Sequence, residues 1–291
     1  MKKISIVIVT YNSEDLIGQC LDSIFNNNDL GEELEVIVVD NRSKNVNRMF
    51  SSLKNKYGER VLLIKNNKNG GYGQGNNVGI LQASAPIIMI MNPDVILISP
   101  IFKRVISYFS DMSVAMIGMR QLVSKDKAGV SFSVKLNFIP IISVLLNFLC
   151  NKIQWYIQPL MYFAGACFFI RKSAFKKIGL FDENIFMYGE ENDVHHRLLS
   201  SANNVKFIYD KNLKYVHLID DRPLSNGAIP KMIRSNLLFC EKNKIDKRKT
   251  LKYKILDEKT WIIIEKMRNN KTKIEYHKTY LKILNQALLS L

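Results

Sequence analysis

The first half of the chain alternates between strand-like and helix-like segments, and this alternation constrains the fold more than any other feature. Residues 4–9 are a near-continuous run of β-branched side chains, which predicts a strand buried on both faces of a sheet. Residues 14–25 carry apolar side chains at helical spacing, and residues 34–39 are a second apolar run. This order favours a parallel sheet, whose ligands bind beyond the carboxyl ends of its strands.

Polar side chains follow both predicted strands. Thr10, Tyr11 and Asn12 come directly after the first strand, and Asp40 and Asn41 come after the second. Because the carboxyl ends of parallel strands meet at one edge of a sheet, we expect these five residues to lie together at a ligand site.

A third apolar run, residues 61–64, leads into a glycine-rich segment over residues 66–80 that opens a predicted helix. Such glycines let a phosphate or a sugar approach the backbone N–H groups closely. The dinucleotide spacing G-x-G-x-x-G is absent, because Asn76 occupies the position of its third glycine, and no P-loop pattern occurs. A plain flexible turn is the alternative interpretation.

Residues 87–91 form the fourth predicted strand, and Asn92, Pro93 and Asp94 follow it. An acidic residue just past a parallel strand is suited to hold a hard cation that bridges phosphates. The alternative is that these three residues form only a tight turn.

Three later stretches also predict strands: residues 162–170, 205–209 and 214–217. The small residues 164–166, in the first of them, leave room for a substrate against the backbone. His217, at the end of the last predicted strand, is a candidate metal ligand or acid/base group, or else a surface or hydrogen-bonded residue.

The densest cluster of ionisable side chains lies on one predicted helix in the second half of the chain. Glu190, Glu191 and Asp193 occupy its first turn, where the positive end of the helix dipole favours negative charge. Asp193 precedes Arg197 by four residues, so an ion pair between them can hold the helix while a neighbouring carboxylate stays free. We predict Glu191 as a general base, against the alternative of a charged, solvated helix start.

The composition is that of a globular protein with a strongly basic surface. The 291 residues are 47% hydrophobic, enough for a substantial core, and the formal net charge is +16. This charge points to an anionic partner: nucleic acid, an anionic membrane surface or a phosphate-bearing small molecule. The four cysteines are scattered, and the first residues lead directly into a strand, which together predict a reducing, cytoplasmic compartment.

Two further segments bear on membrane contact. Residues 138–149 are apolar but shorter than a membrane-spanning helix, and they predict either a buried helix or one in a membrane interface. Residues 247–291 combine many lysines with interleaved apolar residues. This mixture predicts helices that pack on the rest of the chain or lie on an anionic bilayer, with a solvated basic tail as the alternative.

Taken in order, these blocks resemble the family 2 glycosyltransferases with a GT-A fold, and within them the bacterial rhamnosyltransferase-like branch. The resemblance extends from residue 4 to about residue 243. It implies an α/β fold with a Rossmann-like, mostly parallel central sheet flanked by helices. We expect a catalytic domain over residues 1–222, with a nucleotide-sugar half to about 120 and an acceptor half over 121–222, and a basic helical extension over 223–291.

The resemblance also implies roles for particular residues. The three residues after the fourth strand stand where the family has its D-x-D motif, with Asn92 replacing the first aspartate. Asp94 and His217 would hold Mg²⁺ or Mn²⁺ on the donor diphosphate. The acidic helix matches the pattern E-D-x-D-x-x-x-R with Glu191 at the position of the usual catalytic aspartate, and Glu190 and Asp193 are lesser candidates. The residues expected to bind the donor are Thr10, Tyr11, Asn12, Asp40, Asn41, Gly71, Tyr72, Gly73, Asn76 and Asn92.

The implied function is inverting glycosyl transfer at the inner face of the cell membrane. The favoured donor is dTDP-L-rhamnose, followed by a UDP-hexose, and the acceptor is a lipid-linked saccharide of a bacterial surface polysaccharide, O-antigen or capsule. No nucleic acid partner is expected. The alternatives are a nucleotidyltransferase or a dehydrogenase on a similar sheet, and a basic membrane- or nucleic-acid-binding protein. The last of these leaves the acidic helix unexplained, because carboxylates repel phosphate unless a cation intervenes.

Overall fold

The computed structural model describes residues 1–124, 127–218 and 227–291. Strands and helices alternate through the first half of the chain, and helices dominate the end. The strands are β1 (Ile4–Thr10), β2 (Leu34–Asp40), β3 (Val61–Lys65), β4 (Ile87–Met91), β5 (Val95–Leu97), β6 (Val114–Ser124), β7 (Lys127–Ala128), β8 (Phe132–Val134), β9 (Met161–Phe163), β10 (Cys167–Arg171) and β11 (Lys206–His217). The helices are α1 (Glu14–Asn26), α2 (Val46–Tyr57), α3 (Gly71–Gln82), α4 (Phe102–Phe109), α5 (Ile142–Ile153), α6 (Lys172–Lys177), α7 (Glu190–Ser201), α8 (Ala228–Lys242), α9 (Lys247–Met267) and α10 (Lys271–Leu289).

One large twisted sheet has the strand order β3-β2-β1-β4-β10-β6-β11-β5, with β7 paired to β6. Strands β3, β2, β1 and β4 are parallel, and β11 is parallel to β6. Strand β10 is antiparallel to β4 and β6, and β5 is antiparallel to β11. The predicted mostly parallel α/β fold is confirmed. The register places Thr10 opposite Asp40, so the two polar strand ends meet as expected.

Both faces of the sheet are covered by helices, which explains the near-continuous apolar runs of its central strands. In β1, Ile4, Ile6 and Ile8 pack with α1, α2 and α4 on one face. Val7 points to the other face, where it packs in the cluster that includes side chains of α3, α6 and α7. The four cysteines are buried free thiols.

The strand predicted over residues 162–170 is wrong, because the chain leaves one sheet and enters another within it. Strand β9 pairs with β8 in a separate two-stranded sheet, whereas β10 belongs to the main sheet. Between them, Ala164 N–H donates to Ser131 O at 2.9 Å, and Asn92 N–H donates to Ala166 O at 2.8 Å. The two late strands predicted before and after residue 210 are one strand, β11, with a register shift between Asp210 and Lys214.

The predicted C-terminal helices are present and pack on the segment that carries the acidic helix. On α8, Ser235 Oγ donates to Met187 O at 3.1 Å, and Lys231 Nζ lies 5.4 Å from the centre of the Phe186 ring. Helices α8, α9 and α10 share an apolar cluster of their own. Within the described ranges, no helix has both the length and the hydropathy needed to cross a bilayer. The boundary at residues 222 and 223 lies outside the described residues and stays a prediction.

Candidate active site

Helix α7 is anchored by one of its own three acidic residues. The chain enters the helix through Gly189, whose φ of 97° lies in the left-handed region that glycine adopts without strain. The buried Asp193 accepts hydrogen bonds from Arg197 Nε at 2.8 Å and from Lys242 Nζ at 2.8 Å. The predicted ion pair between Asp193 and Arg197 is confirmed. Lys242 comes from α8, and no local sequence pattern marks it.

The other two carboxyl groups of α7 form a pair with different environments. Burial raises the pKa of Glu190 well above its usual range, and the nearby carboxylate of Glu191 raises it further. Burial also raises the pKa of Glu191, whereas the backbone N–H groups of Glu191 and Gly189 lower it. Glu190 is almost inaccessible, but Glu191 is partly exposed. The rise in pKa is larger for Glu190 than for Glu191, so Glu191 is the more readily ionised and the more accessible carboxyl group of the pair.

Glu191 lies against a glycine between the two sheets. A methyl group built on Gly165 would come within 1.6 Å of Glu191 Oε1, so only the absence of a side chain leaves room for this carboxylate. The Tyr72 hydroxyl donates to Gly165 O at 2.7 Å. Burial raises the pKa of Tyr72 and the nearby Glu191 carboxylate raises it further, so the phenol remains a neutral donor. Small residues were predicted to leave room for substrate at this position, and the structure gives that room to Glu191.

Helix α3 connects the predicted nucleotide edge to the segment before α7. Tyr72 N–H donates to Phe186 O at 3.0 Å. A methyl group on Gly71, where φ is 91°, would lie 2.0 Å from Phe186 O, so this contact requires glycine. At the other side, Asn41 Nδ2 donates to Gly71 O at 2.8 Å. The first turn of α3 thus joins Asn41, which follows β2, to Phe186, which precedes α7.

The glycine-rich segment is mainly a packing element. The structure is helical from Gly71 onward, and Gly73 lies against Phe181. Gly75 and Gly79 allow α3 to lie close on the side chains of β1 and β2. Asn76 is buried in the helix and donates to Tyr72 O at 3.0 Å. Close helix-to-strand packing therefore explains these glycines, and their contact with the donor stays a prediction.

The ends of β1 and β2 form a compact polar corner. Asp40 is buried, and its carboxylate accepts hydrogen bonds from Thr10 Oγ1 at 3.1 Å and from Ser43 N–H at 2.8 Å. Ser43 Oγ in turn accepts from Asn12 N–H at 2.7 Å. These bonds fix the loops, and Tyr11 remains exposed at their edge. These residues lie together as the sequence predicts, but Ser43, which links them, was not predicted, and donor binding at this corner stays a prediction.

The turn formed by residues 92–94 presents a carboxylate next to a histidine. Asp94 Oδ2 lies 3.3 Å from His217 Nε2, at the end of β11. Among the residues that the structure describes, no hydrogen-bond donor reaches the buried Asp94 Oδ1. A carboxylate oxygen without a donor beside an imidazole nitrogen fits a divalent cation whose other ligands are phosphate oxygens. Over the same ranges, no three histidine, cysteine or acidic side chains cluster tightly enough to hold a metal.

His195 does not belong to the reactive groups, although it lies on α7. Its Nε2 accepts a hydrogen bond from Phe163 N–H at 3.2 Å. Burial lowers the pKa of His195 to about 3, so the imidazole is neutral. Its role is to join α7 to β9.

Backbone contacts join the candidate base to the candidate metal turn. Glu191 lies against Gly165, and the next residue, Ala166, accepts the hydrogen bond from Asn92 N–H. Glu191 and the turn over residues 92–94 therefore contact neighbouring residues of the same short backbone segment.

Comparisons with known proteins identify the family and the fold. The family model described as glycosyl transferase family 2 matches residues 5–179. A poly(ribitol-phosphate) beta-glucosyltransferase of Bacillus spizizenii is 39% identical over 93 residues, which are 32% of this chain and 15% of that protein. The low-salt glycan biosynthesis hexosyltransferase Agl10 of Haloferax volcanii is 27% identical over 199 residues, 67% of this chain and 61% of that one. The chain thus spans less than two thirds of either relative.

Solved structures give the same fold. The mannosyltransferase PcManGT from Pyrobaculum calidifontis, in complex with GDP-Man and Mn²⁺, superposes with a TM-score of 0.57 at 14% identity. The superposition covers 99% of this chain and 72% of that chain. The family match includes β1 to β4, the turn over residues 92–94 and Gly165, and it spans more than half of the sequence. The chain belongs to glycosyl transferase family 2.

Proposed function

We propose that the protein is an inverting glycosyltransferase that moves a sugar from a nucleotide diphosphate donor to a hydroxyl group of a saccharide. The position of Glu191 carries the proposal. Its carboxylate is partly exposed and lies in the space left by Gly165, next to Ala166, which accepts the hydrogen bond from Asn92. A base and a diphosphate-side carboxylate, Asp94, are thereby held in a fixed relation, which transfer between two bound substrates requires.

In this mechanism, Glu191 accepts the proton of the acceptor hydroxyl. The acceptor oxygen forms a bond to the anomeric carbon from the face opposite the diphosphate, and the bond between that carbon and the phosphate oxygen breaks. The nucleoside diphosphate leaves with the electron pair, so the configuration inverts. Glu190 keeps its own proton, and the neutral Tyr72 hydroxyl holds Gly165 in place, so that the Glu191 carboxylate keeps its position.

Asp94 and His217 are the residues that would hold Mg²⁺ or Mn²⁺. The bound ion supplies neutralisation of negative charge on the diphosphate leaving group. The unpartnered Asp94 Oδ1 supports this assignment, and so does the Mn²⁺ in the complex of the mannosyltransferase PcManGT.

The donor and acceptor follow from different observations. The resemblance favours dTDP-L-rhamnose, and a UDP-hexose is the next candidate, in agreement with relatives named as glucosyl- and hexosyltransferases. The acceptor is a lipid-linked saccharide in the synthesis of a bacterial surface polysaccharide, O-antigen or capsule, and relatives named for poly(ribitol-phosphate) and for a glycan support a polymeric acceptor. The +16 charge supports a peripheral position on the inner face of the cell membrane.

Titration calorimetry with dTDP, UDP and GDP, each with and without Mn²⁺, tests the donor side. We expect one diphosphate to bind more tightly by about tenfold or more with Mn²⁺, because Asp94 would hold the ion and the ion would neutralise negative charge on the phosphates. Asp94→Asn should remove this enhancement and leave the metal-free affinity within about twofold.

Asp111→Asn is the matched control, since Asp111 is exposed and pairs with Lys206 where β6 and β11 begin, at the opposite edge of the sheet. This variant should behave as wild type. Failure of all three diphosphates to bind the folded protein would contradict the proposal.

The dependence of kcat/KM on pH tests the assignment of the base. Glu191 acts only when ionised, and burial raises its pKa. As the pH decreases, activity should therefore begin to fall at a pH above the usual pKa range of glutamate. Circular dichroism at each pH separates this loss from unfolding. A profile that stays flat down to about pH 4.3, the value of an unperturbed glutamate, would argue against Glu191 as the base.

A further inference from the structure

Helix α5 exposes large apolar side chains to solvent, whereas its asparagines face the protein beside the buried Val144 and Cys150. Asn147 Oδ1 accepts a hydrogen bond from Val134 N–H at 2.8 Å, and Asn151 Oδ1 accepts one from Ser131 N–H at 2.9 Å. The inward amides thus hold the backbone around β8. The outer face of α5, together with its two flanks, consists of large exposed apolar side chains: Ile139, Ile142, Leu145, Leu149, Ile153 and Trp155.

Cations outnumber carboxylates around this outer face. Lys152 is exposed on α5 itself, and the Arg268 guanidinium, which pairs with Glu265, lies 4.7 Å from the centre of the Phe148 ring. Lys135 and Lys254 line the small cleft beside the first turn of α5, together with Asp257, which accepts a hydrogen bond from Ser143 Oγ. No aspartate or glutamate occurs between residues 127 and 181. An apolar strip that ends in a tryptophan and is flanked by cations is typical of a helix lying in the interface of an anionic bilayer.

We propose that the outer face of α5 docks on an anionic phospholipid bilayer, with the helix axis in the plane of the interface. This inference rests on the proposed function, in which a lipid-linked acceptor is presented at such a surface. The 12 residues of α5 extend about 18 Å, so the helix lies on the bilayer rather than across its hydrocarbon core of about 30 Å. A second copy of the chain fits this face less well, because each copy carries a net charge of +16.

The docking face is connected to the candidate base through a continuous set of contacts. Strand β8, which α5 holds, pairs with β9 so that Phe132 lies opposite Phe163. Phe163 N–H donates to His195 on α7, the helix that carries Glu191. Docking of α5 would therefore fix the orientation of the acceptor side of the site relative to the bilayer that carries the acceptor.

Vesicle binding tests the inference, with Trp155 as the reporter. The chain has two tryptophans, so Trp261→Phe leaves Trp155 alone. We expect its emission to shift to shorter wavelength with vesicles of phosphatidylcholine and phosphatidylglycerol, and to stay unchanged with phosphatidylcholine alone. Leu145→Glu/Leu149→Glu should raise the lipid concentration needed for half-maximal binding by about tenfold or more, because it removes apolar contact and adds negative charge.

A matched variant controls for charge and for exposed leucine as such. Leu145 and Leu149 are 47% and 51% exposed, and Leu62 and Leu81, on β3 and α3, are 45% and 62% exposed. Leu62→Glu/Leu81→Glu makes the same change in net charge and should bind vesicles as wild type does. Leu145→Ser/Leu149→Ser keeps the net charge and should still weaken binding.

Three results would overturn the docking surface. They are equal loss of binding in the control variant, equal binding to neutral vesicles, and a dimer in analytical ultracentrifugation that Leu145→Ser/Leu149→Ser converts to monomer. Because docking is measured on vesicles alone, it is separable from catalysis. A protein that binds anionic vesicles but transfers no sugar supports the docking surface and contradicts the proposed function. A protein that transfers sugar to a water-soluble acceptor but does not bind vesicles supports the proposed function and contradicts the docking surface.

Discussion

Replacement of Glu191 by glutamine should lower kcat by about 10²- to 10⁴-fold, the usual contribution of a general base. The amide has almost the shape of the carboxylate, so it occupies the same space beside Gly165, but it cannot accept the proton of the acceptor hydroxyl. Binding of the donor diphosphate should change by less than about twofold, because in the proposed mechanism Glu191 acts on the acceptor hydroxyl and not on the phosphates. Single-turnover transfer and titration calorimetry on the same samples measure both quantities.

Glu190→Gln is the informative comparison. Burial keeps the proton on Glu190, and glutamine imitates a protonated glutamate, so this variant should lose far less activity than Glu191→Gln. A larger loss of activity in Glu190→Gln than in Glu191→Gln would assign the base to Glu190. Substantial residual turnover of Glu191→Gln, with all substrates bound, would remove Glu191 from the mechanism.

Local patterns were sufficient for most of the fold. The runs that became β1, β2 and β4 are apolar at nearly every position because both faces of the sheet are covered, whereas a strand with one face in water would alternate between apolar and polar residues. The helix around Glu191 was predicted with its start and its ion pair because spacing along one helix determines both. Helix α2 and the short strand β5 had no comparably clear pattern and were not predicted.

Contacts between distant segments could not be predicted. Lys242 reaches Asp193 from a helix 49 residues away, and nothing around either residue signals the other. The break between β9 and β10 has the same origin, since the hydrogen bonds of Ala164 and Ala166 go to segments elsewhere in the chain. Helix α5 was recognised as apolar, but the sequence left open whether its apolar residues face the core. The structure shows that Asn147 and Asn151 face the protein, because they accept hydrogen bonds from the backbone around β8.

The second large effect is expected at Gly165. Gly165→Ala would place a methyl group 1.6 Å from Glu191 Oε1, and the nearest atoms all belong to the flexible end of the Glu191 side chain. Gly165 is not among the described residues with positive φ, so alanine fits the backbone there. The fold should therefore survive while the carboxylate is displaced. A displacement of about 1 Å can cost about 10²-fold in rate, so we expect kcat to fall by at least that factor with unchanged diphosphate affinity.

Alanine variants of two other glycines serve as controls for this result. Gly18→Ala, on α1 with open space around it, should keep full activity, whereas Gly71→Ala should destabilise the fold, because its methyl group meets the backbone of Phe186. Thermal melts therefore distinguish a displaced base from a damaged protein. In the Gly165→Ala background, Glu191→Asp withdraws the carboxylate from the new methyl group, so the double variant should recover part of the transfer rate. In the wild-type background, the same aspartate should only lower the rate. The effect of Glu191→Asp on the transfer rate should therefore have opposite signs in the two backgrounds. A double-mutant cycle gives this result if residues 165 and 191 act through direct contact, and additive losses would contradict it.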